Sequence, residues 1–346
     1  MHPEFNLISQ PFSNTINIGG IEYLYFSGTA YLGIPQNEDF IKLYIEGIKK
    51  FGLNNGTSRT NNIQLGIYDE AEKAAAKRFK SEDALITSSG YLAAQLTVKA
   101  LSGLGKVLYA PTTHPALWLE NQPLNSKSFP EWKVEITELI NHSAEQNWVL
   151  VSNSMNNLFP EIYDFSFLEQ VNPSKKISLI VDDSHGIGVN NNGLGSFDNL
   201  PKKENINCVV VASMAKALGL DAGLVLGSRE IIRKLKRTNT FIGASPPAAA
   251  GLYAFINGAK IYNKAWNILQ ENIQLLSTKL KIERKFEQGF PVFQINKSSL
   301  ADRLLESKIL ISSFPYPDVN GEAINRIILS SWHTEEDISR LIATIG

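Results

Sequence analysis

Lys216 stands in the stretch NCVVVASMAKALGLDAGLVLGS. There a β-branched run, Val209 to Val211, gives way to small residues, one lysine, glycines and a second apolar run. An amine among small, apolar neighbours is poorly solvated. Loss of water disfavours its charge, lowers its pKa and leaves it able to form a Schiff base. Taken alone, the stretch equally fits a loop-edge lysine that snorkels to water. Three other segments bear on the choice. Ser88-Ser89-Gly90-Tyr91 lies between a strand-like run and a helical pattern. Free amides and the helix dipole at such a junction suit a phosphate, though an ordinary N-cap has the same composition. Asp182 closes an apolar run, with Asp183 next and His185 three positions on. Alternation sends the two carboxylates to opposite sides, or one of them into the loop. A buried carboxylate needs a cationic partner, which a protonated pyridine nitrogen or a structural salt bridge would supply. A metal site is a weaker reading, since no further His or Cys clusters nearby. His114, in APTTHPALW, could stack on a flat ring, act as acid or base, or be a satisfied loop histidine. Ser213, three residues before Lys216, offers a hydroxyl to a phosphate oxygen.

A phosphate cradle, a carboxylate, a ring-stacking histidine and a desolvated lysine are together what pyridoxal phosphate requires. No one piece is specific; their order and spacing are.

These segments need elements to hold them. ALIT, KVLYAP, NWVLVSN, ISLIVDD, NCVVVAS and LVLGS are short runs, apolar on both faces, that alternate with helical patterns. This predicts an α/β chain with a mostly parallel central sheet buried by helices, whose strand ends carry the site. Helices are expected over NEDFIKLYIEGIKKFG and IYDEAEKAAAKRF, with the polar NNGTSRTNNIQLG as a loop between them. REIIRKLKR reads as a basic amphipathic helix. A long helical region follows the Pro246-Pro247 breaker, to about Phe286. The tail PVFQINK, ISSF and INRIILSSW reads as strands with helices between, and Thr334 and Asp337 have capping-box spacing. The expected organisation is an N-terminal segment, 1–50, packing with a small α/β lobe, a large domain over 51–245, and a linking helix with the small C-terminal domain over 246–346.

Composition narrows the function classes. The 346 residues are 43% hydrophobic, with 33 basic and 34 acidic side chains, so bulk charge offers nothing to nucleic acid or a membrane surface. Cys208 alone cannot build a disulfide framework, and it reads as a small buried apolar residue. No apolar run approaches the roughly 20 residues of a membrane span. The opening MHPEFNLISQPFSN lacks the regions of a signal peptide, so a cytoplasmic location is expected.

From about Tyr31 onward the sequence resembles the fold-type I pyridoxal-phosphate enzymes of the class II aminotransferase group. It is most similar to the α-oxoamine synthases, the family of 8-amino-7-oxononanoate synthase and 2-amino-3-ketobutyrate CoA ligase. YLGI resembles the family's N-Y-L-G-L, and GTSR (Gly56 to Arg59) its G-G-S-R. SSGYLAAQ and VDDSHGIGVNNNGLGSF resemble its phosphate-loop and D-[DE]-[AS]-H-G-x-G segments. SMAKALGLDAGLVLGS, SPPAAA and INRIILSSWHT resemble its lysine, P-P-A and H-T segments. The resemblance implies pyridoxal 5'-phosphate held on Lys216, with Asp182 keeping the pyridine nitrogen protonated. It places His185 near the ring hydroxyl and His114 on the ring face. Ser89, Gly90, Tyr91, Ser154 and Ser213 fall around the phosphate or its neighbourhood, and Arg326 on the amino-acid carboxylate, where bidentate pairing favours arginine. It also implies a homodimer, with GTSR and residues 242–245 as the crossing elements.

Departures fall on the substrate side. Ala30 replaces the family's Asn, Ala110 and Ala116 replace polar members of its D-x-x-x-H-x-S pattern, and Tyr68 stands at a histidine. Asn156-Asn157 follow Ser154-Met155 in place of D-G. Ile242-Gly243 replace a Ser-Thr pair, for which Ser245 could substitute only in a shifted register. The expected activity is a decarboxylating condensation of an amino acid with an acyl-CoA or acyl-carrier thioester. An aminotransferase and a non-catalytic relative of the same fold are the other readings.

Overall fold

The structure, a computed structural model, describes residues 5, 7–121, 123, 125, 127–156, 158–315 and 321–346; Asn157 and residues 1–4 and 6 of the opening segment lie outside them. The chain forms two compact units. The larger comprises Lys42–Asn157 and Ile162–Ala259; the smaller comprises Met1–Ile41, Leu158–Glu161 and Lys260–Gly346.

In chain order, the smaller unit opens with β1 (Thr15–Ile18) and β2 (Ile21–Phe26), and α1 (Glu38–Phe51) spans the boundary. The larger unit continues with α2 (Ile67–Arg78), β3 (Asp83–Thr87), α3 (Gly90–Leu101), β4 (Lys106–Tyr109), α4 (Phe129–His142), β5 (Asn147–Asn153) and β6 (Lys176–Asp182). It ends with β7 (Ile206–Ser213), β8 (Gly223–Gly227), α5 (Arg229–Lys236), α6 (Asn239–Ile242) and α7 (Ala249–Asn257).

The larger unit's sheet has the order β3-β8-β7-β6-β5-β4. Strands β4 to β7 pair in parallel and β8 is antiparallel to both neighbours, so β3 runs with the parallel set. The reversal follows from chain length. Only nine residues join Ser213 to Gly223, whereas a parallel crossover needs about a dozen or more. Val149, Val151, Ile180, Val209, Val211 and Val225 form one core with Ala93, Leu96 and Val98 of α3 and Ile232 and Leu235 of α5. The alternate residues Leu150, Leu179, Val181, Val210 and Leu224 are just as buried, which is why the strands read as apolar on both faces.

The remaining elements are α8 (Ala259–Lys279), β9 (Lys285–Phe286), β10 (Val292–Ile295), α9 (Leu300–Glu306), β11 (Ile309–Pro315), β12 (Ala323–Ile328) and α10 (Glu335–Ile345). The single helical region expected from Pro247 to about Phe286 is in fact α7 and α8, separated at Gly258 and finished by Lys279. Glycine is a weak helix former, and it caps α7. The smaller unit's sheet, β1-β2-β11-β12-β10-β9, takes its first two strands from the N-terminus and four from the tail. The capping box at α10 forms: Asp337 N donates to Thr334 Oγ1 at 3.1 Å and Thr334 N to Asp337 Oδ2 at 2.9 Å.

His333, 3% exposed, fastens this unit. Its Nδ1 accepts from Ser330 N at 2.9 Å, so the ring's proton sits on Nε2, which donates to Tyr25 O at 3.0 Å. The ring stacks on Phe26 with centroids 4.3 Å apart. Asn272 Nδ2 donates to the carbonyls of Ser330 and His333. Burial pushes the His333 pKa down to about 4, because a second ring proton would be desolvated, against the opposing pull of the Tyr25 carbonyl and Asp337. The folded pKa lies below the unfolded one, so below neutrality the unfolded state binds more protons. The stabilisation is complete above about pH 6.5 and is lost as pH falls towards 4, amounting to about 3 kcal/mol. The urea stability of wild type minus that of His333→Gln should shrink across that interval; a constant difference would refute the role.

Candidate functional site

The sheet register lines up the site. Thr87 is opposite Gly223, and Gly223 opposite Ser213; Val211 is opposite Asp182, and Asp182 opposite Asn153. Because β3 to β7 share one direction, Ser88-Ser89-Gly90, His114, Ser154, Asp182 to His185 and Lys216 all leave the sheet at the same edge, the one where open parallel sheets bind ligands.

Ser89 is the N-cap of α3, its Oγ accepting from Leu92 N at 3.1 Å. Its hydroxyl therefore does the ordinary capping job, while the helix dipole remains directed at this edge. Tyr91, in the first turn, is 63% exposed. A Cβ on Gly90 would lie 2.6 Å from Ser213 Cβ, and one on Gly223 would collide with Ser89 O. Two backbones are thus pressed together, and Ser89, Gly90 and Ser213 form one cradle. Ser213 N donates to Ser184 Oγ at 2.8 Å, and Ala215 N donates to Ser213 Oγ at 3.3 Å.

Lys216 occupies the β7–β8 turn, which is closed by Met214 N donating to Ala222 O and Leu220 N to Met214 O. Burial lowers its pKa, and the negative charge of Asp182 pulls partly the other way. Asp182 Oδ1 accepts from Ser184 N at 2.9 Å. The two acids have different fates. Asp183, 1% exposed, turns into the loop, where Oδ2 accepts from Ser196 N at 2.8 Å and Gly186 and Gly195 leave no room for side chains. Burial raises its pKa to about 6, against the pull of the Ser154 hydroxyl and the Ser196 amide. Asp183 is therefore a latch for the His185–Gly195 loop; the glycines that follow the acid pair were its signal. His185 is half-buried in the turn after it.

Ser154 is packed beneath this edge, with its N–H donating to Asp182 O at 2.8 Å and its carbonyl accepting from Tyr163 N at 2.9 Å. His114 is exposed as a residue, yet its ring is crowded enough that burial lowers its pKa; Asp182 raises it and Lys216 lowers it. The three groups thus share one electrostatic neighbourhood. Asn153, absent from the sequence-based candidates, donates from Nδ2 to Thr112 O at 2.8 Å and accepts His114 N on Oδ1 at 3.1 Å.

The GTSR arginine is an ion-pair residue. Arg59 Nη1 donates to Glu72 Oε1 at 2.8 Å and is held between the Tyr68 and Phe241 rings. The buried Glu72 also accepts from Ile86 N in β3 and from Lys236 Nζ, tying the loop to the strand that feeds the cradle. Tyr68 Oη donates to Pro247 O at 3.4 Å. Ala110 and Ala116 are buried.

In the smaller unit, Arg326 lies on β12 with its guanidinium 4.9 Å from the Phe314 ring centroid. Burial lowers its pKa, against the influence of the Tyr31 phenol. Ser330 Oγ donates to Ala30 O at 2.6 Å, which secures the turn before Tyr31. Among the described residues no group of three His, Cys, Asp or Glu could hold a metal ion, and no helix is long and apolar enough to cross a membrane.

The chain is similar to known proteins over most of its length. The chain is 24% identical to the 8-amino-7-oxononanoate synthase of Petrotoga mobilis, over 93% of this chain and 87% of that one. Its fold is similar to serine palmitoyltransferase of Sphingomonas wittichii, with TM-score 0.80 and 16% identity, covering 97% of this chain and 90% of the other. It is also similar to the 8-amino-7-oxononanoate synthase of Francisella tularensis, with TM-score 0.67 and 21% identity, covering 93% and 96%. The profile of the family described as aminotransferase class I and II matches residues 31–345, nearly the whole length, and the chain belongs to that family.

Proposed function

We propose that this chain is a pyridoxal-phosphate-dependent acyltransferase that condenses an amino acid with an acyl thioester and releases CO₂. The carrying observation is Lys216, desolvated within the electrostatic reach of Asp182 on the strand edge that also holds the Gly90–Ser213 cradle. The site fits the cofactor. The cradle has backbone in contact where side chains would block it, the helix N-terminus suits its phosphate, and the lysine has lost part of its charge preference. The names of the relatives support acyl transfer over transamination, and serine palmitoyltransferase structures of this fold hold pyridoxal phosphate.

When bound, pyridoxal phosphate supplies an electron sink that acidifies the Cα–H of the amino acid joined to it. Lys216 holds the cofactor between turnovers and takes the Cα proton on Nζ. With the cofactor bound, Asp182 would keep its pyridine nitrogen protonated, and His114 and His185 would hold its ring. The first turn of α3, with Ser89, Gly90 and Tyr91, and Ser213 would hold its phosphate, with Ser154 supporting them from below. Arg326 takes the substrate carboxylate. A C–C bond forms between the amino-acid Cα and the thioester carbonyl carbon, the C–S bond breaks to release a thiolate that takes a proton from solvent, CO₂ leaves from Cα, and Lys216 Nζ returns its proton to Cα. A second copy of the chain covers the exposed Leu53, Ile63, Tyr91 and Ile242 of the larger unit, making a homodimer.

Incubation with amino acids and acyl-CoA or acyl-carrier thioesters should release thiol and CO₂ in equal amounts. Arg326→Ala should raise KM for the amino acid by about 10- to 100-fold, the loss expected for one charge-assisted pair. Amino-group transfer to a 2-oxo acid without thiol release would sink the acyltransferase reading. Lys216→Ala should abolish the borohydride-fixed cofactor adduct on its peptide and cut turnover by at least roughly 10²-fold. An adduct elsewhere, or normal turnover, would remove the lysine from its role and leave the non-catalytic relative standing. Sedimentation should give a dimer that Ile63→Glu weakens; a wild-type monomer at micromolar concentration would refute the shared surface.

A further inference from the structure

We infer that Asn153, acting on the left-handed turn at Thr112, sets the orientation and tautomer of the His114 ring and is a positioning residue for the site. The inference rests on the proposed role of His114 above. Asn153 is fully buried at the end of β5, directly opposite Asp182. Both ends of its carboxamide are spent on the turn: Nδ2 donates to Thr112 O at 2.8 Å, and Oδ1 accepts from His114 N at 3.1 Å. A carboxamide donates with one end and accepts with the other. An aspartate of the same shape would lose the donor and set a second negative charge beside Asp182.

The clamped turn is strained. Thr112 has φ +54°, a conformation that β-branched residues avoid. Such strain persists only where the surroundings over-determine the backbone, and here they do. Thr112 Oγ1 shares a hydrogen bond of 3.1 Å with Tyr163 Oη, and Tyr163 stacks on Phe129 at 3.8 Å. Trp118 Nε1 donates to Thr113 O at 3.0 Å, and Gln95 Nε2 donates to Ala116 O and Trp118 O. With these groups fixed, Ala116 N donates to His114 Nδ1 at 3.2 Å, which leaves the ring's proton on Nε2. The tautomer is therefore a consequence of the turn, and Asn153 holds the turn on both sides of Thr113.

The test is histidine ring ¹⁵N NMR on the full chain without cofactor. Five histidines keep the spectrum assignable, with His114→Gln identifying the signal. Wild type should show His114 as a single Nε2–H tautomer. Asn153→Ala should shift it to a mixture and raise the Kd for pyridoxal 5'-phosphate about tenfold. Asn153→Asp keeps the acceptor for His114 N and loses the donor to Thr112 O; it should also turn the His114 signal into a mixture, and it serves if Asn153→Ala does not fold. Unchanged His114 ring shifts in Asn153→Ala, with only Tm lowered, would overturn the inference by making Asn153 a structural cap. So would unchanged shifts in Asn153→Asp. If the shifts move but neither Asn153→Ala nor His114→Gln alters cofactor affinity, the positioning stands and the ring-stacking role of His114 falls.

Discussion

The strand edge holds one poorly hydrated lysine within the field of one carboxylate, and the proposed chemistry depends on that pairing. Full hydration would leave Lys216 a permanently charged surface amine, and an unopposed carboxylate would hold its proton just as firmly. The fold sits between these limits. The turn around Lys216 is built from Met214, Ala215, Ala217 and Leu218, which offer the ammonium no hydrogen-bond partner from their side chains, and burial lowers its pKa despite Asp182. That balance exists because β6 and β7 are parallel neighbours whose ends fall together, so the turn leaving β7 opens beside the last residue of β6.

Close backbone approach is the second constraint. Gly90 against Ser213, and Gly223 against Ser89, let α3 begin directly on the β7–β8 connection. The same device places Asp183 between Gly186 and Gly195, where it fastens the loop that carries His185. Asp182 and Asp183 are thus adjacent in sequence and turned different ways, one at the strand edge and one into the loop. Strand alternation separates them, and only the space around each decides which is which.

Beneath the edge, buried polar groups tie the loops to the sheet. Glu72 gathers Arg59, Ile86 N and Lys236; losing Glu72 would strip the buried Arg59 of its close partner, which costs about 3–5 kcal/mol. Asn153 does for the His114 turn, without charge, what Glu72 does for the GTSR loop. In the smaller unit His333 plays the corresponding part, joining Tyr25 to Ser330 through a neutral ring.

The α/β class, the buried strands, the Thr334 cap and the grouping of Ser89, Asp182 and Lys216 at strand ends were legible in the sequence. They depend on local periodicity, turn chemistry and a fixed chain direction, all of which are written in consecutive residues. The sequence could equally have yielded the antiparallel β8, since nine residues cannot make a crossover. It could not show that Arg59 is spent on Glu72, that Asp183 faces the loop, or that Asn153 governs the turn before His114. Those assignments join residues 13 to 41 positions apart, or depend on a few tenths of an ångström of space. A side chain's hydrogen-bond partner is chosen by what packing brings within about 3 Å, which residue type alone does not specify.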